Sequence, residues 1–458
     1  MTDARPRCIS GWRLLAYALP ALVIALPTIP VYIHLPALYG VQLGLGLATT
    51  GLILLLARLF DAVTDPLIGA LSDRFGFRGG RRKPWIAIGA VIAGVGLFKV
   101  LTPPQGVEAA YLLSWSVVLY AGWTMVAVPY LAWGAALTTD YNERTRITAW
   151  REGLALVGIV AAGALTAVTA NRGWTDVQST EAIAWLAIGL GLIVVPLLLW
   201  FVPDTGQERV RTAGSLGSRA NTTIRNLISN GPFKRLLAGW FLNGIANGIP
   251  AALFFIYLEH GLGVGAEERS LFVLAYFVSA IGAIPLWSGL SRRFGKHRVW
   301  CWAMIFASTG FLAVPFLPVG AVIPFAGVCI VTGMALGADL VLPPAIQADV
   351  LDYDRWRFNH DRAGLQFALW GMSTKLALAL AVGLALPALD ALGFDPVEVG
   401  DDGRWALVVI YAWVPVVIKI VAIAVVWGFP LTSQKLRIIR CRLDQRRARL
   451  LEPREVAS

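Results

Sequence analysis

The sequence predicts an all-α polytopic membrane protein in which about twelve transmembrane helices form two pseudo-symmetric six-helix bundles. Three observations carry this prediction: the composition, the length of the apolar segments, and the placement of the basic residues between them. Hydrophobic residues make up 57% of the 458 residues and charged residues only 15%. A water-soluble domain needs roughly a quarter of its residues to be charged, so most of this surface must face something other than water.

Apolar segments long enough to cross a bilayer, which takes about 20 residues, follow one another along the whole chain. They lie at 13–38, 45–71, 85–102, 109–138, 150–171 and 182–202, and then at 233–258, 270–289, 299–317, 323–347, 365–388 and 404–430. A polar stretch divides them into two sets. The predicted parts are an N-terminal bundle at 1–202, a linker at 203–232, a C-terminal bundle at 233–430 and a basic tail at 431–458.

The basic residues lie almost entirely on one side of the predicted segments. If the N-terminus is cytoplasmic, the loops and tail on that side carry 32 of the 39 Lys and Arg residues, and the opposite loops carry 3. Such a bias sets the orientation of membrane helices, so it predicts that both termini, the linker and the tail are cytoplasmic. It also accounts for the net charge of +11 without a nucleic-acid partner.

Cysteine and histidine usage argues against an enzyme. The four cysteines lie in four separate segments, and no pair has the spacing of a metal site or a redox motif. The four histidines are isolated, and no nucleophile stands beside a general base in a polar loop. The sequence therefore predicts neither catalytic residues nor a cofactor.

Two copies of one short motif indicate that the halves arose by duplication. The second segment ends in Gly69-Ala-Leu-Ser-Asp-Arg-Phe-Gly76, and the eighth ends in Gly289-Leu-Ser-Arg-Arg-Phe-Gly295. Each copy stands at the same position of its half and precedes a basic loop. Parallel repeats of this kind are typical of transporters whose two bundles rock about a site near the middle of the membrane.

The basic tail has an amphipathic pattern of its own. It places Leu436, Ile439, Leu443 and Leu450 at near-helical spacing among arginines. An apolar stripe with a basic face predicts a helix that lies on anionic lipid headgroups, in addition to the lipid that surrounds the spans.

Ionisable residues inside the predicted spans are functional candidates, because a charge in hydrocarbon costs several kcal/mol. The second span carries Arg58, Asp61 and Asp65. The two acids are four residues apart, which puts their Cβ atoms about 5–6 Å apart on one helical face, and Thr64 lies beside them. These oxygens favour a small monovalent cation or a shared proton. The alternative is a structural network in which the acids neutralise Arg58, although one guanidinium can satisfy only one of them well.

Lys375 lies in the middle of the eleventh predicted span. A lone ammonium there needs a carboxylate partner, and Asp61 and Asp65 of the other half are the candidates. A lysine that occupies the cation site while it is empty would couple cation binding to closure of the two bundles. The alternative is that its side chain extends to the membrane surface, which the mid-span position disfavours.

A weaker set of polar residues lies in the C-terminal half. Asn243 and Asn247 are four residues apart on the seventh span, Asp339 lies in the tenth and Lys419 in the twelfth. The two asparagines predict a pathway for the substrate or, equally well, hydrogen bonds between helices, and Asp339 is a weaker candidate for the same pathway. Lys419 and Asp339 are expected to pair with each other.

Charged residues near the cytoplasmic ends of the helices predict a gate of salt bridges between the two bundles. The alternative is that these charges are only solvated, as loop charges usually are. The predicted gate residues are Asp73, Arg74, Asp140, Glu143, Arg144, Arg151, Asp349 and Asp352.

Four short motifs, taken together, resemble one known family. They are Arg58-Leu-Phe-Asp-Ala-Val-Thr-Asp-Pro66, Arg82-Lys-Pro-Trp85, Val128-Pro-Tyr130 and Asp349-Val-Leu-Asp-Tyr353, the last followed some twenty residues later by Lys375. With them the chain is similar over most of its length to the glycoside–pentoside–hexuronide cation symporters, the melibiose-permease branch of the major facilitator superfamily. The resemblance implies a monomeric transporter of the bacterial inner membrane that couples sodium or protons to the movement of a small-molecule substrate.

The resemblance also implies roles for individual residues. Asp61 and Asp65 match the cation-binding carboxylates of the family, and Thr124 matches a threonine at its cation site. Lys375 matches a lysine needed for coupling, and Arg58 is a second coupling candidate. Thr64 stands where melibiose permease has an asparagine, which keeps an oxygen ligand and leaves the choice among sodium, lithium and proton open.

The substrate residues depart from the melibiose pattern. The family holds galactosides with one carboxylate in the first span and another in the fourth, but here the first span has no acid and the fourth has Ala127 at that position. The stacking tryptophan is replaced by Leu131, although Trp133 lies close by and is a weak candidate for the substrate pathway. These departures argue against a galactoside, and the resemblance to the family implies a sugar-like or other small organic solute. A lysolipid or other amphipathic solute, or a non-transporting receptor or assembly protein of the same fold, are the alternatives.

Overall fold

The computed structural model describes most of the chain, and the regular structure of the described part is helical. The described residues are 9–28, 31, 35, 38, 39, 43–45, 47–75, 80–104, 106–204, 227, 229–264, 266–394 and 400–451. In chain order the helices are α1 (Gly11–Ala25), α2 (Leu47–Arg74), α3 (Lys83–Leu101), α4 (Ala109–Ala136), α5 (Tyr141–Asn171), α6 (Asp176–Phe201), α7 (Gly231–Ile256), α8 (Ala266–Phe294), α9 (Lys296–Ala313), α10 (Val322–Phe358), α11 (Ala363–Ala391), α12 (Asp401–Trp427) and α13 (Ser433–Leu451). A π-helical turn (Tyr257–Gly261) continues α7, a second one (Val409–Trp413) lies within α12, and a 3-10 turn (Val314–Phe316) follows α9.

Ten of the described helices are long and apolar enough to cross a membrane. α2 has the necessary length, with 28 residues, but charged side chains interrupt its apolar sequence. α1 covers the first part of the first predicted span with 15 residues. These elements follow the predicted order of spans, and the prediction of an all-α multi-pass membrane protein is confirmed.

Local sequence signals set several helix boundaries. Thr175 precedes α6 in a capping box, in which its hydroxyl accepts a hydrogen bond from the backbone N–H of Gln178 and satisfies a donor that the helix start leaves free. Asn230 caps α7 in the same way through the N–H of Phe233. Gly295 ends the second copy of the repeated motif with a φ of 89°, a left-handed conformation that glycine adopts without strain. This turn allows α9 to begin at the next residue.

The helices form two bundles, α1–α6 and α7–α12, which meet along two pairs of helices. α2 packs against α11 and α5 packs against α8, and α10 adds a further contact with α5. The two pairs are equivalent under the repeat, because α2 and α8 occupy matching positions in their halves and so do α5 and α11. Large apolar side chains are exposed on the outside of the bundles, as a lipid-facing surface requires. Examples are Leu192, Trp200 and Ile323, which are 73%, 82% and 84% exposed.

The two bundles approach each other most closely where α2 ends and α11 begins. A Cβ atom on Gly69 would lie 2.6 Å from the carbonyl oxygen of Gly364, and one on Gly364 would lie 2.5 Å from the carbonyl oxygen of Gly69. Only glycine permits two backbones to come this close. We call this end of the molecule, where the loops after α2, α4, α8 and α10 lie, the basic end. In this conformation direct contact between the bundles closes it.

The prediction that the tail helix lies on lipid headgroups is wrong for its apolar stripe. Leu436 and Ile439 of α13 are 1% and 7% exposed and belong to the buried core of the C-terminal bundle. Arg446 donates to the backbone carbonyl of Trp356 at the end of α10, over 3.0 Å. The stripe is buried because the end of the C-terminal bundle offers an apolar surface, which the sequence pattern of the tail alone does not reveal.

Candidate functional site

α2 places Asp61 and Asp65 one helical turn apart, within reach of α4 and α11. Both residues are buried, at 5% and 4% exposure. The hydroxyl oxygen of Thr124 on α4 lies 2.8 Å from Oδ1 of Asp61 and 2.9 Å from Oδ1 of Asp65. A threonine has a single hydroxyl proton, so it donates to one carboxylate at a time. The three side chains therefore bring two carboxylates and one hydroxyl oxygen together, with a single hydroxyl proton to donate among them.

Lys375 of α11 completes this cluster from the other bundle. Its Nζ atom lies 2.5 Å from Oδ2 of Asp61 and 2.6 Å from Oδ2 of Asp65, and its side chain is 35% exposed. With both acids ionised, the single ammonium contacts two negative charges. Carboxylate and hydroxyl oxygens are hard ligands. The arrangement therefore suits the replacement of the ammonium by a small hard cation, or the protonation of one acid.

Thr64 makes a different contact from the predicted one. Its hydroxyl donates to the backbone carbonyl of Asp61 over 3.0 Å, a local bond that threonine commonly makes inside helices. Arg58 is exposed on α2, and both acids are in contact with Lys375. The structure therefore brings together Asp61, Thr124 and Lys375 with the second acid, and it directs the Thr64 hydroxyl to the backbone instead.

A buried ion-pair network joins the two bundles at the basic end. Arg144 of α5 donates to Oδ1 of Asp349 over 3.0 Å and to the two carboxylate oxygens of Asp352 over 2.7 and 3.0 Å. Lys296 of α9 lies 2.7 Å from Asp349, and Arg440 of α13 lies 2.9 Å from each acid. Both acids are almost fully buried, and a buried charge is stable only when it is paired in this way.

A second set of contacts ties the end of α2 to the start of α11. The carboxylate of Asp73 accepts hydrogen bonds from the backbone N–H groups of Gly364 and Leu365, at 2.8 and 2.9 Å. The first N–H groups of a helix have no partner within it and carry the positive end of the helix dipole. A carboxylate of the N-terminal bundle therefore stabilises the start of a helix in the C-terminal bundle.

Arg81, at the start of α3, bridges Asp73 and Asp361 in the loop after α10. Its guanidinium lies 3.4 Å from Asp73 and 2.8 Å from Asp361. Arg355 holds Asp361 from the other side at 3.0 Å. Burial raises the pKa of Asp361, but the charges of Arg355 and the other nearby arginines outweigh it and hold this pKa well below the usual range.

Four of the predicted gate residues make contacts within their own bundle instead. Asp140 caps α5 by accepting from backbone N–H groups at its start, both at 2.8 Å. Glu143 pairs with Arg146 one turn later, at 3.3 Å, and Arg151 pairs with the next residue along the chain. Arg74 is exposed and lies over the ring of its neighbour. Proximity to a helix end therefore does not predict which charges face the other bundle.

Sequence reasoning missed Arg81, Lys296, Asp361 and Arg440. Arg81 and Lys296 both follow a copy of the repeated motif within a basic run, and this shared position is the signal that would have marked them. Asp361 and Arg440 have no comparable signal, because the contact of Asp361 with the other bundle and the contacts of Arg440 involve residues distant along the chain. Arg440, for example, is 91 residues from Asp349.

The polar residues of the C-terminal bundle form one chain of hydrogen bonds. Asp339 accepts from the indole of Trp300 over 2.6 Å and from the side-chain amide of Asn247 over 2.9 Å. Lys419 donates to the amide oxygens of Asn243 and Asn247, over 2.8 and 2.7 Å. The expected direct pair of Lys419 with Asp339 is thus wrong, because the Asn247 amide lies between the two charges.

Trp133 does not lie on a path between the bundles. Its side chain is fully buried in the N-terminal bundle, and its indole donates to the carbonyl of Pro203 over 3.0 Å. The ammonium of Lys83 lies 5.7 Å from the ring centroid. The prediction that Trp133 contacts the substrate is therefore not supported in this conformation, because no face of the ring is accessible.

The sequence matches the family described as MFS/sugar transport protein over residues 16–433. It is 24% identical over 426 residues to the sodium-dependent lysophosphatidylcholine symporter 1 of Homo sapiens, which covers 85% of this chain and 77% of that protein. It is also 26% identical over 420 residues to the putative glycoside/cation symporter YagG of Escherichia coli (strain K12), which covers 88% of each.

Solved structures share the fold. The proton:xylose symporter XylE, bound to 6-bromo-6-deoxy-D-glucose, superposes with a TM-score of 0.65 at 14% identity and covers 93% of this chain and 98% of that one. The major facilitator transporter FucP, in its outward conformation, gives 0.63 at 14% identity and covers 93% and 99%. The family match over most of the chain, together with the two-bundle helical architecture, shows that this protein belongs to the MFS/sugar transport protein family and is a membrane transporter rather than an enzyme.

Proposed function

We propose that this protein is a secondary symporter that couples a monovalent cation, sodium or a proton, to the movement of a small organic solute by alternating access. The observation that carries the proposal is the cluster of Asp61, Asp65 and Thr124 with Lys375 of the other bundle in contact with both acids. Ionisable groups at this depth of a membrane protein usually mark ion pathways. Relatives described as sodium-dependent and glycoside/cation symporters support the same function.

In the proposed mechanism the cation and Lys375 exclude each other. While the cation is absent, the ammonium neutralises the acids and ties α2 to α11 across the interface. A cation bound between Asp61 and Asp65 replaces the ammonium and removes that tie. Since a ligand shifts a conformational equilibrium only through its differential affinity for the two states, this exchange is the step that couples cation binding to the rocking of the bundles.

The basic end supplies the second part of the cycle. We propose that it is the cytoplasmic end, as the distribution of Lys and Arg predicts, and that its ion pairs are the inner gate. The pairs of Arg144 and the contacts of Asp73 must separate before a solute can leave on that side. A hydrogen bond to a charged group contributes about 1.5–3 kcal/mol, so the network holds the closed gate until bound cation and solute offset that contribution.

A sugar-like solute is the first candidate, because the matched family is described as sugar transport and relatives include a glycoside/cation symporter. One observation favours an amphipathic solute as the second candidate. A cavity of about 560 Å³ lies among α1, α3, α4 and α6, and its wall is almost wholly apolar. Such a wall suits an acyl chain better than a sugar. The lining includes Val23, Phe98, Trp123, Trp185 and Leu192.

The test uses purified protein in liposomes with an imposed sodium or pH gradient. The gradient should drive uptake of a radiolabelled glycoside from a panel, or of lysophosphatidylcholine as the amphipathic arm. Asp61→Asn and Asp65→Asn should abolish concentrative uptake, and Lys375→Ala should uncouple it, because each removes a partner of the exchange. Asp402→Asn, at an exposed acid at the start of α12, is the control. Normal gradient-driven accumulation in both α2 variants would refute the coupling mechanism.

A further inference from the structure

A second cavity, of about 230 Å³, lies within the C-terminal bundle among α7, α8, α9, α10 and α12. Part of its wall is polar, and the rest consists of aromatic and aliphatic side chains. The polar residues are Asn247, Thr332, Asp339 and Lys419, and the aromatic residues include Phe254, Tyr276, Phe311 and Tyr411. A mostly apolar wall with a few polar groups that fix orientation is typical of small-molecule sites.

The polar part of the wall holds two opposite charges that are kept apart. The carboxylate of Asp339 accepts hydrogen bonds from the neutral donors Trp300 and Asn247. Each of its oxygens has a second lone pair that can accept a further hydrogen bond. Lys419 donates two of its three N–H groups to neutral amide oxygens. Separated buried charges are a poor way to stabilise a fold, and both residues line the cavity with hydrogen-bonding capacity left for a ligand.

Two irregular helical turns converge on the same region. The π-helical turn after α7 carries Tyr257 and the one within α12 carries Tyr411. Their rings stack with centroids 4.2 Å apart and planes 7° apart, and Tyr411 lines the cavity. π-Helical turns occur frequently at functional sites, so the backbone points to this cavity independently of its charges.

The distribution of acids favours this cavity over the N-terminal bundle. The first span has no acid, and α4 carries Ala127 where the resembling family has one. The acids of α2 are in contact with Lys375, and Glu152 of α5 pairs with Arg151. Asp339, by contrast, lines a cavity and has neutral partners. It is therefore the carboxylate that can accept hydrogen bonds from the hydroxyl groups of a solute.

We propose that this cavity binds the ring of a monosaccharide-sized polyol, with its hydroxyl groups on Asp339 and Asn247 and its C–H faces against the aromatic wall. The proposal rests on the proposed symport and states where that solute binds. An apolar cavity of about 150 Å³ accommodates benzene, so 230 Å³ admits a six-membered ring that carries hydroxyl groups. Hydrogen bonds to a charged acceptor are the strong ones, so Asp339 is the main anchor.

α7 connects this cavity to the cluster of Asp61, Asp65, Thr124 and Lys375, which we call the cation cluster. Trp240 on α7 donates to the hydroxyl of Thr374 over 2.8 Å, and Thr374 directly precedes Lys375. Trp240 also stacks on Trp370 of α11, with ring centroids 4.5 Å apart. About two turns further along α7, Asn247 reaches the cavity. A solute on Asn247 thus acts on the same helix that holds the neighbour of Lys375 in place.

The experiment measures the melting temperature of the purified full-length protein with D-xylose or methyl α-D-glucoside, in the presence and absence of sodium. Ala251 is exposed and lines the cavity, so Ala251→Trp should obstruct it and remove the sugar-induced rise that the wild type shows. Asp339→Asn should weaken the apparent affinity about tenfold or more, because it removes charge-assisted hydrogen bonds. Ala238→Trp is the matched control, since Ala238 is exposed on the same helix and does not line the cavity.

The sodium-induced rise in melting temperature separates this proposal from the proposed symport. It should persist in all three variants, because the acids of α2 are intact, and its persistence shows that each variant is folded. A sugar-induced rise that survives in Ala251→Trp would overturn the cavity assignment and leave the coupling mechanism standing. A wild type that responds to lysophosphatidylcholine and to neither sugar would overturn the polyol assignment.

Discussion

Replacing Gly69 with alanine tests whether contact at the basic end stabilises this conformation, and Gly289 provides the matched control. The two glycines open the two copies of the repeated motif, near the ends of α2 and α8, although the first copy is one residue longer. A Cβ on Gly69 would lie 2.6 Å from the carbonyl oxygen of Gly364 and 2.8 Å from Cβ of Ala368, whereas a Cβ on Gly289 would meet no atom within 4 Å. The same substitution therefore disturbs the interface between the bundles at one position only.

The size of the effect follows from the atoms that a Cβ on Gly69 would contact. The carbonyl of Gly364 belongs to the backbone of α11 and cannot move aside alone. Carbon and carbonyl oxygen approach to about 3.3 Å at closest, so the crossing has to widen by about 0.7 Å. Overpacking of this kind costs about 1–3 kcal/mol, which is about 5–150-fold in the ratio of two conformations. The helix-propensity gain from Gly to Ala, about 1 kcal/mol, applies at both positions and cancels in the comparison.

The assay is a distance measurement between spin labels in a background with the native cysteines replaced by serine. Positions 74 and 357 are exposed at the basic end, on α2 and α10 respectively, so they report the separation of the two bundles. Gly69→Ala should shift the distribution to longer distances, and Gly289→Ala should coincide with the wild type. Identical distributions for the two variants would refute the argument that the glycine contact stabilises the closed basic end.

Two further predictions concern the ion pairs of the basic end. Arg144→Gln should weaken the closed conformation by about 1.5–3 kcal/mol, the contribution of a hydrogen bond to a charged group, because Lys296 and Arg440 still compensate the two acids but belong to the same bundle as they do. The spin-label distance should lengthen, and an unchanged distance would contradict this. The pKa of Asp361 is lowered in the folded protein, so its stabilising contribution is complete above the unfolded pKa of about 3.9 and is lost only as the pH falls through the folded value. The difference in distance between the wild type and Asp361→Asn should therefore be the same at about pH 8 and pH 5, and a difference that shrinks at pH 5 would contradict this.

The cation cluster shows how much of a site can be predicted from helical periodicity and from the cost of burying a charge. A spacing of four residues places Asp61 and Asp65 on one face of a helix, and a lysine in the middle of a span needs an acid. The structure places Lys375 in contact with both acids, while their role in cation binding stays a prediction. The hydrogen-bond partner of the Thr64 hydroxyl could not be predicted from spacing, because a threonine in a helix can bond either to a neighbouring side chain or to the backbone of its own helix.

The charges at the basic end show the opposite case. Asp140 and Arg144 lie in the same short segment, and by position they are equally good candidates for gate residues. Asp140 caps its own helix, whereas Arg144 reaches two acids more than 200 residues away. Local sequence does not separate these outcomes, because a capping acid and an interface charge differ only in what packs opposite them.

The sequence by itself determined the membrane class, the order of the spans, the duplicated halves and the acidic face of α2, because hydrophobicity, periodicity and charge bias are properties of neighbouring residues. The tertiary structure alone decided the burial of Trp133, the separation of Lys419 from Asp339 by an amide and the packing of the tail helix on the protein. Each of these depends on which surfaces meet when distant segments pack, and contacts between distant segments leave no pattern within a single stretch of sequence.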